Sequence, residues 1–334
     1  MDLLSSNTST GSLQVIFQTP SAAGQTNCSH LKNDASYHFV LIPILYMCIS
    51  IIGIVGNMII VVGLTCLHKK SVANIYIVNL AIADLLFVAT LPLWAVDLLG
   101  RYKWIFGSMM CKFCAAMSSV NMYASIFLLT GLSIDRYFGI VRPMKSLKKR
   151  TLTKAKISTL LIWGSAFVIS TPSIYFRQTY YSYHSHHIVC GMRYPPNSLF
   201  WPVFVGSLKC VVGFLIPFII QGICYYMIFK NILKSAKSKL RKTKSDKILT
   251  VVVSMVLAFL ISWLPLHIVN ILKLLARFGI ITNCGVAHNL SILIPFTTCV
   301  AFSNSCVNPI LYYFASNRFR SQFIKSIKGS LNRA

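Results

Sequence analysis

Acidic residues are nearly missing from this chain. Six aspartates and no glutamate face 32 Lys and Arg, leaving a formal net charge of +26. Also missing are alternating or heptad patterns of apolar residues and any internal repeat of roughly 20–50 residues. The apolar residues, 55% of the chain against 11% charged, lie in long blocks instead, which excludes a soluble domain. An enzyme needs a nucleophile beside a base, or a metal-ligating cluster, and none is placed for either. A transporter or channel would show repeats or several intramembrane charges, whereas a single carboxylate lies at mid-span here. Residues 1–38 contain no basic n-region followed by an apolar h-region, so no cleavable signal peptide is expected and the first span acts as its own insertion signal.

What is present is a set of spans. The stretches 39–66, 72–99, 107–141, 154–175, 198–230, 246–277 and 286–314 each hold the roughly 20 apolar residues that a helix needs to cross the hydrocarbon. The expected fold is an all-α membrane protein, a seven-transmembrane-helix bundle over 39–314, with an extracellular segment at 1–38 and a cytoplasmic tail at 315–334. In that tail Phe319, Phe323, Ile324 and Ile327 alternate with Arg318, Arg320 and Lys325 at the spacing of a short amphipathic eighth helix on the inner leaflet.

The positive charge is one-sided. Lys69, Lys70, the run from Arg142 to Lys156, the run from Lys230 to Lys247 and the tail from Arg318 to Arg333 all fall on one face of a seven-span arrangement. Cytoplasmic loops carry such an excess, which puts the N-terminus outside and the C-terminus inside at the plasma membrane. Anionic membrane lipids, not nucleic acid, are the partner this rim suits. The glycosylation sequons at Asn7 and Asn27 lie on the outer side, as they must to be used. Of eleven cysteines, seven fall within predicted helices as buried thiols. Cys28, Cys111, Cys190 and Cys284 remain outside them and allow three pairings, of which Cys111 with Cys190 and Cys28 with Cys284 is favoured.

Polar residues inside the spans are few and therefore informative. Asp84 lies near the middle of the second span. Asn57 in the first, Asn121 and Ser125 in the third, and Asn304 and Asn308 in the seventh stand at comparable depths. One carboxylate among amides and hydroxyls suits a sodium ion or a water network, and equally a protonated, hydrogen-bonded aspartate with a packing role; no other cofactor is expected. Pro92, Pro172, Pro217, Pro265, Pro295 and Pro309 each interrupt a span, and six kinks in one bundle favour a protein that changes shape. Asp135-Arg136-Tyr137 closes the third span. Arg136 lies 25 residues beyond Cys111, about 37 Å along a helix and so at the opposite face.

Together these residues resemble the rhodopsin-like (class A) G-protein-coupled receptors from about residue 40 to 328. The matching motifs are Gly56-Asn57, Leu80 to Asp84, Cys111, Asp135-Arg136-Tyr137, Trp163, Pro217 with Tyr225, Ser262-Trp263-Leu264-Pro265 and Asn308-Pro309-Ile310-Leu311-Tyr312. The resemblance implies that Arg136 meets a heterotrimeric G protein, with arrestin a further partner. It makes Trp263 a hinge beneath the ligand and Tyr225 with Tyr312 an inner pair that rearranges on activation. A retinal photoreceptor is excluded, because 286–314 contains no lysine for a Schiff base.

Within that family the chain is similar to the angiotensin II receptors, through Thr90 to Ala95, Tyr123 to Phe127, Tyr175-Phe176-Arg177, Leu208-Lys209 and Asn304 to Pro309. Phe302-Ser303-Asn304 reads nearer to type 2, and Arg142 to Ser146 nearer to type 1. The similarity implies a peptide-hormone ligand whose C-terminal carboxylate is clamped by Arg177 and Lys209, with Trp94 packing beside it. Two cations without nearby acids also call for an anion on elementary grounds. The chain departs from the subgroup where acids near the tops of helices six and seven receive the peptide's arginine, for Lys273 and Ser291 stand there. The outer surface as a whole is basic, with Asp2, Asp34 and Asp97 its acids. An acidic or arginine-free peptide is therefore an alternative ligand, and a non-signalling scavenger receptor the alternative of another class. The intact Asp135-Arg136-Tyr137 argues against the latter.

Overall fold

The structure, a computed structural model, describes residues 37–67, 71–143, 150–183, 185–196, 198–235 and 245–315. Asn7, Asn27, Cys28 and the expected amphipathic helix beyond residue 315 lie outside the described residues.

Among the described residues, seven helices are long and apolar enough to cross a membrane: His38–Cys66, Val72–Leu99, Gly107–Val141, Leu152–Phe176, Phe200–Leu233, Val252–Ala276 and His288–Phe314. They match the seven apolar stretches to within a few residues. One difference is at the last, whose helix starts at Cys284, so Cys284 opens the seventh helix instead of lying in the loop before it.

Local chemistry explains the ends and the irregularities. Ser71 and Thr151 sit in extended backbone and cap the second and fourth helices, their hydroxyls accepting from the amides of Asn74 and Lys154, both at 3.2 Å. The second span is interrupted at Ala89 and Thr90, immediately before Pro92. The Thr90 hydroxyl turns back to the carbonyl of Phe87 at 2.7 Å, and the carbonyl four residues before Pro92, that of Val88, accepts instead from the Ser50 hydroxyl at 2.8 Å. The fifth span widens into a π-helix over Leu208–Leu215, just ahead of Pro217. Proline has no N–H to offer the carbonyl four residues back, and the wider turn absorbs that loss.

The third span is the axis of the bundle, packing against the second, fourth, fifth and sixth. Tyr123, Ile126, Leu128, Leu129 and Leu132 are fully buried along it. The first helix docks on the second and seventh. Gly56 allows the closest approach there, because a Cβ at this position would stand 2.7 Å from Cγ of Pro309. Apolar side chains such as Leu160, Leu161, Phe167 and Val168 point outward from the fourth span, a distribution that only a lipid surround makes favourable.

At one end of the bundle an antiparallel hairpin, β1 Arg177–Ser182 with β2 His187–Met192, follows directly on the fourth helix. Its register sets Arg177 opposite Met192 and Thr179 opposite Cys190. Cys190 is disulfide-bonded to Cys111 at the start of the third helix, which bears out half of the favoured pairing. The other half involves Cys28 and falls outside the described residues.

Candidate functional site

The hairpin end gathers the residues expected to hold a ligand. Arg177, the first residue of β1, is placed by the strand and by the disulfide, its Nε donating to Sγ of Cys190 at 3.4 Å. Its guanidinium lies over the indole of Trp94, 5.0 Å from the ring centroid, as a cation–π contact. Lys209, in the π-helical turn of the fifth span, is half-buried and close enough to Arg177 and His267 to act on both electrostatically. Burial pushes the Arg177 guanidinium below the ordinary arginine range, and the carboxylate of Asp97 works against that shift.

That last observation corrects the reading of two cations without a nearby acid. Asp97 is 5% exposed, so it is buried in the bundle and not part of the outer surface. It lies one helical turn beyond Trp94, on the same face, and within electrostatic reach of Arg177. The spacing from Trp94 was legible in the sequence. Its burial was not, because that depends on how neighbouring elements, the first helix foremost, pack against this part of the second span.

Beneath these groups lies an aromatic floor. Trp263 stacks on Phe259 with ring centroids 5.6 Å apart, and His267, one turn further along, packs on Phe214 at 4.6 Å. Trp263 Nε1, His267 Nε2 and Trp94 Nε1 are buried without a hydrogen-bond partner among the described residues, and buried polar atoms left in that state call for a ligand or water. His267 was missed by sequence reasoning, although its four-residue spacing from Trp263 puts both on one face. Lys273 is half-buried near the end of the sixth helix, and the side chain of Ser291 lies outside the described residues.

At mid-depth the amides converge on Asp84 as expected. Asn121 Nδ2 donates to Asp84 Oδ1 and Asn308 Nδ2 to Oδ2, both at 2.9 Å, while Asn121 also reaches Ser125 Oγ at 3.3 Å. Asn57 Nδ2 donates to the carbonyls of Gly53 and Ser305 at 2.9 and 2.8 Å, tying the first helix to the seventh. The side-chain oxygens of Asn57, Asn304 and Asn308 are buried with no partner among the described residues. A carboxylate accompanied by spare amide oxygens is a donor set that fits a hard monovalent cation.

At the far end the Asp135 carboxylate is shared. Arg136 donates to its Oδ2, and Arg150 grips both oxygens, Nε to Oδ1 at 2.7 Å and Nη2 to Oδ2 at 2.8 Å. Sequence reasoning foresaw Arg136 but not Arg150, which looked like one more residue of a solvated basic run. Tyr137 stacks edge-on against Phe138. The Tyr225 hydroxyl lies 2.7 Å from Ser133 Oγ, and Tyr225 packs on the core cluster that contains buried Tyr312. Trp163 Nε1 donates to Asn79 Oδ1 at 3.0 Å, which accounts for that tryptophan in the matching motifs.

A seven-span bundle with these residues at these depths carries the architecture of one receptor class, and comparison with known families agrees. The family described as 7 transmembrane receptor (rhodopsin family) matches residues 56–312. The chain belongs to the rhodopsin family of seven-transmembrane receptors. Among its relatives are the type-1 angiotensin II receptors of Gallus gallus and Homo sapiens, each 40% identical over 294 residues, which is 88% of this chain and 82% of theirs. The type-1 angiotensin II receptor A of Mus musculus is similar to the same extent. Family and relatives are receptors and not enzymes. The receptor's core motifs therefore stand where the family resemblance put them, while the grouping around Arg177 includes one acid that the resemblance did not include.

Proposed function

We propose that this receptor binds a peptide hormone of the angiotensin kind at the hairpin end, outside the cell, and activates a heterotrimeric G protein at the Arg136 end, inside it. The convergence of Arg177, Lys209 and Trp94 carries this reading. Two half-buried cations and an unpartnered indole N–H are matched by a terminal carboxylate, and charge-assisted hydrogen bonds are stronger than neutral ones. The one-sided basic loops support the orientation. Binding at this end biases the bundle through the Trp263 floor and the kinked spans toward a state in which Arg136 leaves Asp135, a population shift between two packings. Asp84, Asn121, Ser125, Asn304 and Asn308 would hold a sodium ion, which favours the resting packing. Arrestin and the anionic inner leaflet are further partners of the basic inner face. Lys273, half-buried where the resemblance expects an acid, favours a second reading in which the peptide is acidic or lacks arginine near that wall.

The test is angiotensin II with a free C-terminal carboxylate against its C-terminal amide, on cells expressing the receptor. The acid should bind about tenfold or more tighter, the effect of one charge-assisted bond lost, and Lys209→Ala should erase the difference. Equal binding of the two peptides removes the carboxylate clamp.

A further inference from the structure

The residues around Arg177 form a site of mixed sign. Of the aspartates, Asp84 lies at mid-depth, Asp135 and Asp246 near the opposite end, and Asp2 and Asp34 outside the described residues. Asp97 is thus the one carboxylate in the described hairpin-end half. It is buried, and its Oδ1 has no hydrogen-bond partner among the described residues. Leaving such an oxygen dry and unpaired is costly. Arg177 stands near enough to feel its charge, yet the ion pairs among the described residues are those of Asp135 alone. Each partner is restrained separately: Arg177 by the Trp94 ring and the Cys190 sulfur, and Asp97 by its place in the helix, whose backbone carbonyl takes the Tyr102 amide at 2.7 Å. Trp94 Nε1, on the same helical face, is unpartnered too.

An acid and a base that stand within electrostatic reach without pairing, the acid with an unpartnered oxygen, are complementary to a ligand carrying the opposite pair. We propose that Asp97 is a specificity-determining residue that receives a cationic group of the ligand lying close to the anion held by Arg177 and Lys209. This inference rests on the carboxylate clamp and narrows it. The preferred peptide end is dipolar, with a guanidinium or ammonium group adjacent to the terminal carboxylate. A purely acidic end would meet Asp97 as a like charge, and a neutral one would leave its Oδ1 unsatisfied. A cation further along the peptide, toward Lys273, is not served by this residue.

The experiment uses the purified full-length receptor and compares its thermal stabilisation by N-acetyl-arginine, which carries both charges, with N-acetyl-citrulline, which keeps the carboxylate and shape but not the cation. Angiotensin II with its C-terminal residue replaced by arginine or by citrulline repeats the comparison by displacement binding. The arginine form should bind about tenfold tighter in each pair, as expected for one charge-assisted contact. Asp97→Asn should abolish that preference, and Asp97→Glu, which keeps the charge, should retain part of it. Thermal melting of the ligand-free variants shows that both fold. If wild type treats the two forms alike, binds none of the four probes, or keeps its preference in Asp97→Asn, the proposal is overturned. Should Asp97→Asn tighten arginine and citrulline forms equally, Asp97 is a mere counter-ion of Arg177, and the proposal again falls. The clamp is judged separately, by the acid-against-amide comparison, so either reading can fail without the other.

Discussion

Arg150→Ala should make the receptor harder to activate. Arg136 and Arg150 donate to the same oxygen, Oδ2 of Asp135, so Arg136 is held by a carboxylate that a second cation has already partly neutralised, and the proposed activation requires it to leave that carboxylate. Two opposing effects follow from removing Arg150: Arg136 loses a repulsive neighbour, and Asp135 loses a brace. Guanidiniums sharing one acceptor oxygen stand roughly 5 Å apart, which at an effective dielectric near 20 corresponds to about 3 kcal/mol of repulsion. The Arg150 side chain is 31% exposed, and solvent screening reduces the figure to about 1 kcal/mol. The brace matters less, because Asp135 is 7% exposed and remains fixed by its own helix and by Arg136. The repulsion should win, deepening the resting state by about fivefold in population. Nucleotide exchange on a purified heterotrimer, without and with agonist, reads this as lower ligand-free exchange and a right-shifted agonist curve at unchanged surface expression. Gly139→Ala offers an independent route to the same end, since its Cβ would stand 2.7 Å from Nη1 of Arg150. That flexible side chain would swing away at little cost in stability. Ligand-free exchange that rises in Arg150→Ala would show that the brace dominates and would refute the reasoning.

Three further outcomes are expected. Gly56→Ala should lower the melting temperature of the detergent-solubilised receptor by the equivalent of about 1–3 kcal/mol, because the added Cβ meets the rigid ring of Pro309 at 2.7 Å; an unchanged melting temperature would show that the first and seventh helices separate freely. Sodium should weaken agonist binding to wild type but not to Asp84→Asn, which keeps the shape and loses the charge that two amides now hold; an equal sodium response in both proteins places the ion elsewhere. Lys273→Asp combined with Ser291→Asp should raise angiotensin II affinity at least tenfold by removing a like charge and restoring two acids, while the C-terminal amide stays poor on both proteins. Tight angiotensin II binding by wild type would mean that other groups receive its arginine.

The seven spans, their order and the placing of the motifs by depth follow from the sequence alone, because lipid leaves the backbone no option but long helices of apolar residues. Depth along a straight helix is arithmetic in residue number, so Asp84, Asn121 and Asn308 could be set at one level and Asp135 opposite Cys111 before any packing was known. Lateral contact is different in kind. Whether Asp97 faces water, lipid or Arg177 depends on the break before Pro92, the register of the hairpin and the disulfide that holds it, and these act together only in the folded bundle. Arg150 is the same case, a member of a basic run by sequence and a partner of Asp135 only because the fourth helix packs against the third. The π-helical turn that carries Lys209 is equally hidden, since Pro217 announces a defect without saying whether the helix bends or widens. Hydropathy and charge are sums over a segment and survive in one dimension, whereas an ion pair or a recess is a distance between segments and exists only in three.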